Sequence, residues 1–416
     1  MNEDTEGVEE AMSPNRFGPM RFVLVFGVVS GLADFVYEGA RSIVGPYLET
    51  FGASAALVGA ITGFGEAVAL VFRLATGRWS DRTGRHWAIS FAGYAITVVS
   101  VPLLGVGGPL AVACVLVVAE RFGKAVRTPA RDTMLAQASV DLGRGRAFAA
   151  HEALDQSGAL VGPLVVAAVL ALGGGYRSAF AVLAVPGVAA LGVLVYLRRR
   201  VPEPGAYDPA ARPTQTRSVS LRGFGRRFWQ YATFSAATLA GFSTFAVLAY
   251  HLQHRHVVSA PVIPVLYAVA MGAAALTALA SGRVYDRFGL RGLLALPVLG
   301  TAIPFLSFST DVALVWVGAL LWGAVMGIHE STMRAAVADL VPPERRGVGY
   351  GTFTAVYGLA WLAGSAIIGA LYDVSIDDAI IFTVVVQAVA VVAFLPLWKG
   401  DRVAAGPEGA GSGSGS

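Results

Sequence analysis

The stretch TGRWSDRTGRHWA, residues 76–88, places three arginines (Arg78, Arg82, Arg85), one aspartate (Asp81) and two glycines (Gly77, Gly84) between two long apolar runs. A second stretch, SGRVYDRFGLRGLL at 281–294, repeats the skeleton with Gly282, Asp286, Arg287 and Gly289. In a chain that is 55% hydrophobic and 14% charged, two dense polar connectors of one pattern point to a duplicated design.

Soluble domains carry about 25% charged residues. This composition, with mean hydropathy +0.63, is that of a membrane protein. About 20 mostly apolar residues cross the hydrocarbon layer as a helix. Outward from the two connectors, twelve such runs are read at 20–47, 54–77, 87–107, 110–136, 146–172, 178–198, 227–252, 260–281, 292–309, 312–340, 346–372 and 379–398. The runs are continuous, without the alternation of a membrane barrel, so helices remain as the way to satisfy the backbone in lipid. The 50 glycines suit close packing between them. The fold class is therefore all-α, with twelve transmembrane helices.

Arginines gather in alternate connectors: Arg78, Arg82 and Arg85, then Arg144 and Arg146, then 198–227, then Arg283, Arg287 and Arg291, then Arg345 and Arg346. The positive-inside rule puts these connectors and both termini in the cytoplasm, and the expected location is a cell inner membrane. The net charge of +4 is thus a topology signal, and no nucleic-acid partner is expected. The expected partners are the lipid bilayer and a small-molecule substrate, with the chain working as a monomer. Cys114 is the only cysteine and lies inside a span, which leaves no disulfide framework and no thiolate metal cluster.

The acidic opening MNEDTEGVEEAMSPN is unlike a cleavable signal peptide and reads as part of a disordered tail, 1–19. Residues 199–226, proline-rich and basic, read as a linker between a first six-helix half at 20–198 and a second at 227–399, followed by a tail at 400–416 ending in GSGSGS. Motifs recur between the halves at a steady offset: Gly77 and Gly282 are 205 apart, Thr133 and Thr332 are 199 apart, Arg146 and Arg346 are 200 apart.

The run from Gly77 through Asp81 and Arg82 to Gly84 and Arg85 resembles the G-x-x-x-D-R-x-G-R signature of the major facilitator superfamily, which lies between helices two and three and has a weaker copy between eight and nine. Both positions match. Gly158, Gly162 and Pro163 on the fifth span resemble the G-x-x-x-G-P core of an antiporter-associated motif, with Val165-Val166 in place of the usual glycine pair. The resemblance covers the chain between tail and tail. It implies a secondary transporter that works by alternating access.

Glycine lets the connector turn sharply and approach a neighbour, and a carboxylate such as Asp81 is stabilised at a helix N-terminus. The resemblance implies that this terminus is the start of helix eleven, near Arg346. Arg82 and Arg85 are expected to pair with carboxylates on adjacent helix ends, Asp132 first. The cluster Gly77, Asp81, Arg82, Gly84, Arg85, Asp132, with Gly282, Asp286 and Arg287 in the copy, then latches the halves in one state and releases in the other. A plain topology role for the arginines is the rival.

Ionisable groups inside spans are costly and mark functional cavities. Asp34, Glu38 and Arg41 share one face of the first span, and Glu120, Lys124, Arg127 and Arg131 one face of the fourth. Asp34 and Glu120 lie deepest and are read as cavity residues. Arg41, Lys124 and Arg127 are equally open to structural pairing. Glu66 is either a proton carrier or neutralised by Arg73. Pro129 is expected to bend the fourth helix. On the fifth span His151, Glu152 and Asp155 cluster, Asp155 as a relay and Glu152 open to the latch. The second half offers His329, Glu330 and Arg334, the last two one turn apart and able to satisfy each other.

Desolvation favours the neutral form of a carboxylate, so buried acids can load and unload protons. A proton is the expected coupling ion, with no other cofactor and no resident metal. His251, His254 and His256 leave a transition-metal reading open beside a polar-cap one. Of the aromatics Phe35, Tyr37, Phe64, Phe228, Trp229, Phe242, Phe245, Trp322, Tyr357 and Trp361, some are expected to line the cavity and most to pack. The functional expectation is proton-driven efflux, by antiport, of a small organic or amphipathic solute. Proton symport of an anionic metabolite and lipid translocation stand as alternatives. No metalloprotease, nucleophile-elbow or phosphate-loop motif supports an enzyme.

Overall fold

The computed structural model describes residues 16–208, 224–342 and 345–404. Most of the acidic tail, most of the linker and the Gly/Ser tail lie outside these residues. Among the described residues all regular structure is helical. Before the linker come α1 (Pro19–Arg41, continued by Val44–Glu49), α2 (Ala55–Thr83), α3 (His86–Val106), α4 (Leu110–Ala138), α5 (Arg144–Ala171) and α6 (Gly175–Val182, then Ala184–Arg200). After it come α7 (Arg226–Ala240, then Phe245–His254), α8 (Val262–Phe288), α9 (Ala295–Ser307), α10 (Val312–Leu340), α11 (Arg346–Val374) and α12 (Ile376–Ala404).

Local chemistry sets several ends. Ser54 caps α2 by accepting from the Leu57 amide at 3.2 Å, and Asp311 caps α10 by accepting from Ala313 at 2.8 Å. Gly84 ends α2 with φ +62°, a left-handed conformation that glycine adopts without steric cost. The opening stretch is therefore mostly helix: α2 runs on through Arg78, Asp81 and Arg82 to Thr83, and the link to α3 is only Gly84 and Arg85. Likewise α8 continues through Asp286 and Arg287. The apolar count ended these spans at 77 and 281 because charge there exceeds what lipid tolerates, while the helix needs no lipid to continue.

Among the described residues, ten segments are long and apolar enough to cross a membrane. They include 262–307 as one piece, which the structure divides into α8 and α9 around a short 3₁₀ turn, Gly289–Leu294. They leave out α4, which carries Glu120, Arg121, Lys124 and Arg127 and depends on its neighbours for burial. α4 continues through Pro129 as one helix.

The halves meet along two pairs, α2 with α11 and α5 with α8. α2 and α11 run antiparallel, since a Cβ on Gly59 would strike the Ser365 carbonyl while one on Gly351 would strike the Leu74 side chain. At the end remote from the arginine-rich connectors, the far end, the halves touch closely. A Cβ at Gly45 would enter the Ala246 carbonyl, Thr62 and Thr244 share a 2.7 Å hydrogen bond, and Tyr176 donates to Gln253 at 3.1 Å. Toward the basic end a chamber of about 480 Å³ separates them.

Candidate functional site

α1 reaches the chamber because its small residues let α5 come close. A Cβ on Gly158 would collide with the Gly31 carbonyl, and one on Gly162 with the Phe35 carbonyl. The fifth-span motif is thus a packing seam, and Pro163 continues it inside α5. The seam puts Asp34 and Glu38 of α1, and Asp155 of α5, on the chamber wall.

The two charged stripes face each other. Arg127 Nη2 lies 2.8 Å from Asp34 Oδ1, Lys124 Nζ lies 3.7 Å from Asp34 and 4.0 Å from Glu38, and Arg41 lies 3.6 Å from Glu38. Arg41 also reaches Glu66 on α2 at 2.9 Å. Arg121 joins Glu66 and Glu120, each at 3.6 Å, and its stem crosses the space left by the missing side chain of Gly65. The result is one alternating ladder, Glu120, Arg121, Glu66, Arg41, Glu38, Lys124, Asp34, Arg127, of four acids and four bases. Removing one partner of a buried pair costs about 3–5 kcal/mol because it strands the other, so the ladder holds together as a unit.

Structural pairing therefore accounts for Arg41, Lys124 and Arg127, although Arg41 and Lys124 also line the chamber. Glu66 is paired with Arg41 and Arg121, and Arg73, which the sequence suggested, adds a weaker electrostatic hold. Glu120, read as a cavity acid from its depth alone, is turned toward Arg121 and does not line the chamber. Tyr37 sits between two cations, with Lys124 Nζ 3.6 Å and Arg121 Cζ 4.3 Å from its ring centroid.

Below this ladder, Arg131 pairs with Asp132 at 2.9 Å and Asp155 at 3.6 Å. Asp132 thus takes its own neighbour, not Arg82 or Arg85, which are exposed together with Asp81. Asp286 and Arg287 are exposed too, and Gly282 has open space about it. A Cβ on Gly77 would meet Pro129 of α4 at an ordinary 3.5 Å. Glu152 lines the chamber and accepts from Gln156 at 3.0 Å. His151 is buried with Nε2 2.9 Å from Ser30 Oγ.

The second half adds Tyr267 of α8, whose hydroxyl donates to Glu38 Oε2 across the halves. Neither Tyr267 nor Arg121 stood out in the sequence. A smaller recess of about 60 Å³ adjoins the chamber and shares Arg41, Arg73, Lys124, Met326 and Glu330 with it. Its other wall is aromatic, from Tyr37, Phe353, Tyr357 and Trp361. The Glu330–Arg334 pairing cannot be placed, because the Arg334 side chain lies outside the described residues. Phe242, Phe245 and Trp322 pack in the second half with ring centroids 5.3 Å apart along the row, while Phe64 and Trp229 are exposed.

The three outer histidines go separate ways. His251 is buried against the Tyr372 hydroxyl at 2.7 Å, His254 lies 3.4 Å from Glu49, and His256 is exposed. Among the described residues, one group of three ligand types gathers within 4.8 Å, His151, Glu152 and Asp155. All three are already engaged, by Ser30, Gln156 and Arg131.

A multi-pass helical bundle whose halves touch at one end and enclose, toward the other, a charged chamber with an aromatic-walled recess is the architecture of a membrane transporter. The family model described as Major Facilitator Superfamily matches residues 26–257 and 231–413, and the chain belongs to that family. It is 50% identical over 377 residues to an uncharacterized protein of Mycobacterium tuberculosis, covering 89% of this chain and 91% of the relative. It is 26% identical over 120 residues to the tetracycline resistance protein, class H, of Pasteurella multocida, covering 28% and 30%. The crystal structure of the nucleoside transporter NupG superposes with TM-score 0.72 at 14% identity, covering 92% of this chain and 99% of that one, a likeness of fold.

Proposed function

We propose that this transporter couples proton entry to the efflux of a small organic or amphipathic solute by alternating access, as a monomer in a cell inner membrane. The observation that carries the reading is the sharing of Lys124 by Asp34 and Glu38, both on the chamber wall. A proton on either acid frees Lys124 to the other and unbalances a ladder that is otherwise neutral. Antiport is supported further by the local likeness to a tetracycline resistance protein. The even count of acids and bases in the ladder weighs against capture of an anionic metabolite.

The two-half motion rests on the paired contacts of α2 with α11 and α5 with α8. Closing the basic end about these pairs and parting the far end exposes the chamber to the other side. The test is gradient-driven transport by the full chain in proteoliposomes with an imposed pH difference, comparing wild type with Asp34→Asn and Glu38→Gln. The reading requires that at least one change abolish the pH-driven component while solute exchange continues. Transport indifferent to the pH difference in the wild type overturns it.

A further inference from the structure

We infer that the recess is a subsite for a neutral, planar heteroaromatic or aromatic-amide group that offers both a hydrogen-bond donor and an acceptor. This rests on the carrier reading above and names its class of cargo.

The Arg41 and Lys124 charges on the first-half wall are ion-paired. Arg41 faces Glu66 at 2.9 Å, Lys124 is shared by Asp34 and Glu38, and Arg127 faces Asp34 at 2.8 Å. A charged cargo held by Arg41 or Lys124 must compete with a carboxylate already in place. Recognition without ionic attraction then falls to the second-half wall.

That wall is a set of rings with unspent polar atoms. His329 and Trp361 both line the recess, and both lie against Phe242, with centroids 5.6 and 6.1 Å away, and against Tyr357, at 5.9 and 6.3 Å. Both side chains are only 2% exposed, and His329 Nε2 and Trp361 Nε1 are buried without a hydrogen-bond partner. Leaving such atoms unmade costs about 1–3 kcal/mol each, and two of them side by side on one cavity wall call for an explanation that a bound group supplies. Their chemistry is complementary. The indole N–H only donates. His329 Nδ1 lies 2.8 Å from Met333 Sδ, and a thioether only accepts, so the hydrogen sits on Nδ1 and Nε2 of the neutral ring accepts.

A flat solute edge carrying a donor beside an acceptor satisfies both nitrogens when both rings turn toward the recess. Stacking against the neighbouring rings adds about 0.5–1.5 kcal/mol per pair. The recess, at about 60 Å³, takes the edge of the group, and the adjoining chamber takes the body.

Equilibrium binding of radiolabelled nicotinamide to the purified full chain in lipid nanodiscs tests this, with no gradient present. Unlabelled uracil, cyclohexanecarboxamide and benzoate serve as competitors. We expect saturable nicotinamide binding, competition by uracil, and little by cyclohexanecarboxamide, which lacks the flat ring, or benzoate, which is charged. Trp361→Phe keeps the ring and removes the N–H, and His329→Asn shortens the acceptor. Each is expected to weaken binding about tenfold, the scale of one buried hydrogen bond, at an unchanged unfolding temperature. Absence of saturable nicotinamide binding, benzoate competing as well as uracil, or unaltered affinity in both folded variants overturns the subsite. Binding with these properties alongside a failure of pH-driven transport would sink the coupling reading and leave the subsite standing.

Discussion

Tyr267 of α8 donates its hydroxyl hydrogen to the Glu38 carboxylate of α1, joining the two halves at a residue that also lines the chamber. The Tyr267 ring is fully buried, 4.7 Å from Phe245 by centroids. Glu38 meanwhile faces Arg41 and Lys124. A hydrogen bond to an ionised acceptor is roughly twice as strong as one between neutral groups, so the bond tightens or loosens with the charge on Glu38. Through it the second half can sense the first.

Tyr267→Phe keeps the ring and its packing and deletes that bond. Hydrogen bonds to charged groups contribute about 1.5–3 kcal/mol, and about 1.4 kcal/mol is a tenfold change. We expect pH-driven accumulation in proteoliposomes to fall at least about tenfold while solute exchange without a gradient stays near wild type. A parallel loss of both would assign Tyr267 to binding or packing instead.

Asp373, at the end of α11, accepts from the Ala55 and Ala56 amides at the start of α2, both at 2.9 Å. It caps a helix of the other half at the far end. A lost cap costs about 1 kcal/mol, with a further 0.3–1 kcal/mol, roughly, from the helix dipole. Asp373→Ala should shift the population toward far-end opening about tenfold. Spin-label distances across the far end, in a chain whose Cys114 has been replaced, report this directly, and an unchanged distance distribution refutes it.

The fold was legible because its signals are one-dimensional. Apolar runs, arginine asymmetry and the repeated Gly-Asp-Arg skeleton need no knowledge of which faces meet. Spacing along one helix likewise put Asp34, Glu38 and Arg41 together, and Lys124 with Arg127. What escaped were relations between helices. Arg121 follows Glu120 by one residue and so points about 100° away from the charged stripe, and only the gap at Gly65 on α2 shows where it goes. Glu120 was judged by depth, which says nothing of rotation. Tyr267 is a lone hydroxyl in an apolar run, and its partner is 229 residues away.

The glycines divide by what surrounds them. At Gly158 a Cβ meets the Gly31 backbone, which cannot step aside, so Gly158→Ala forces α1 and α5 apart. Overpacking of this kind costs about 1–3 kcal/mol. At Gly282 nothing lies within 4 Å, and Ala gains about 0.5–1 kcal/mol in a helix interior. Thermal unfolding in detergent should therefore drop for Gly158→Ala and hold or rise for Gly282→Ala. Equal effects would mean that the fifth-span motif is not a packing seam.

Asp81 lies in the helical end of α2, exposed, while α2 and α11 remain packed from Gly59 against Ser365 to Leu74 against Gly351. Asp373 occupies the mirror position, one helix end across from the other's start, and there the contact is made. The two aspartates thus bracket one antiparallel pair, and the alternation proposed above requires that closing the basic end carry Asp81 toward the start of α11 as the far end releases Asp373. Substituting Asp81 breaks no ion pair or hydrogen bond among the described residues and loses only a weak attraction to His86, and exposed positions of this kind shift stability by no more than about 0.5 kcal/mol. Asp81→Asn should leave the unfolding temperature unchanged, hold more of the population open at the basic end, and slow turnover. Spin-label pairs across that end read the population. A lowered unfolding temperature with no change in those distances would make Asp81 a structural residue of the α2 terminus and not a latch.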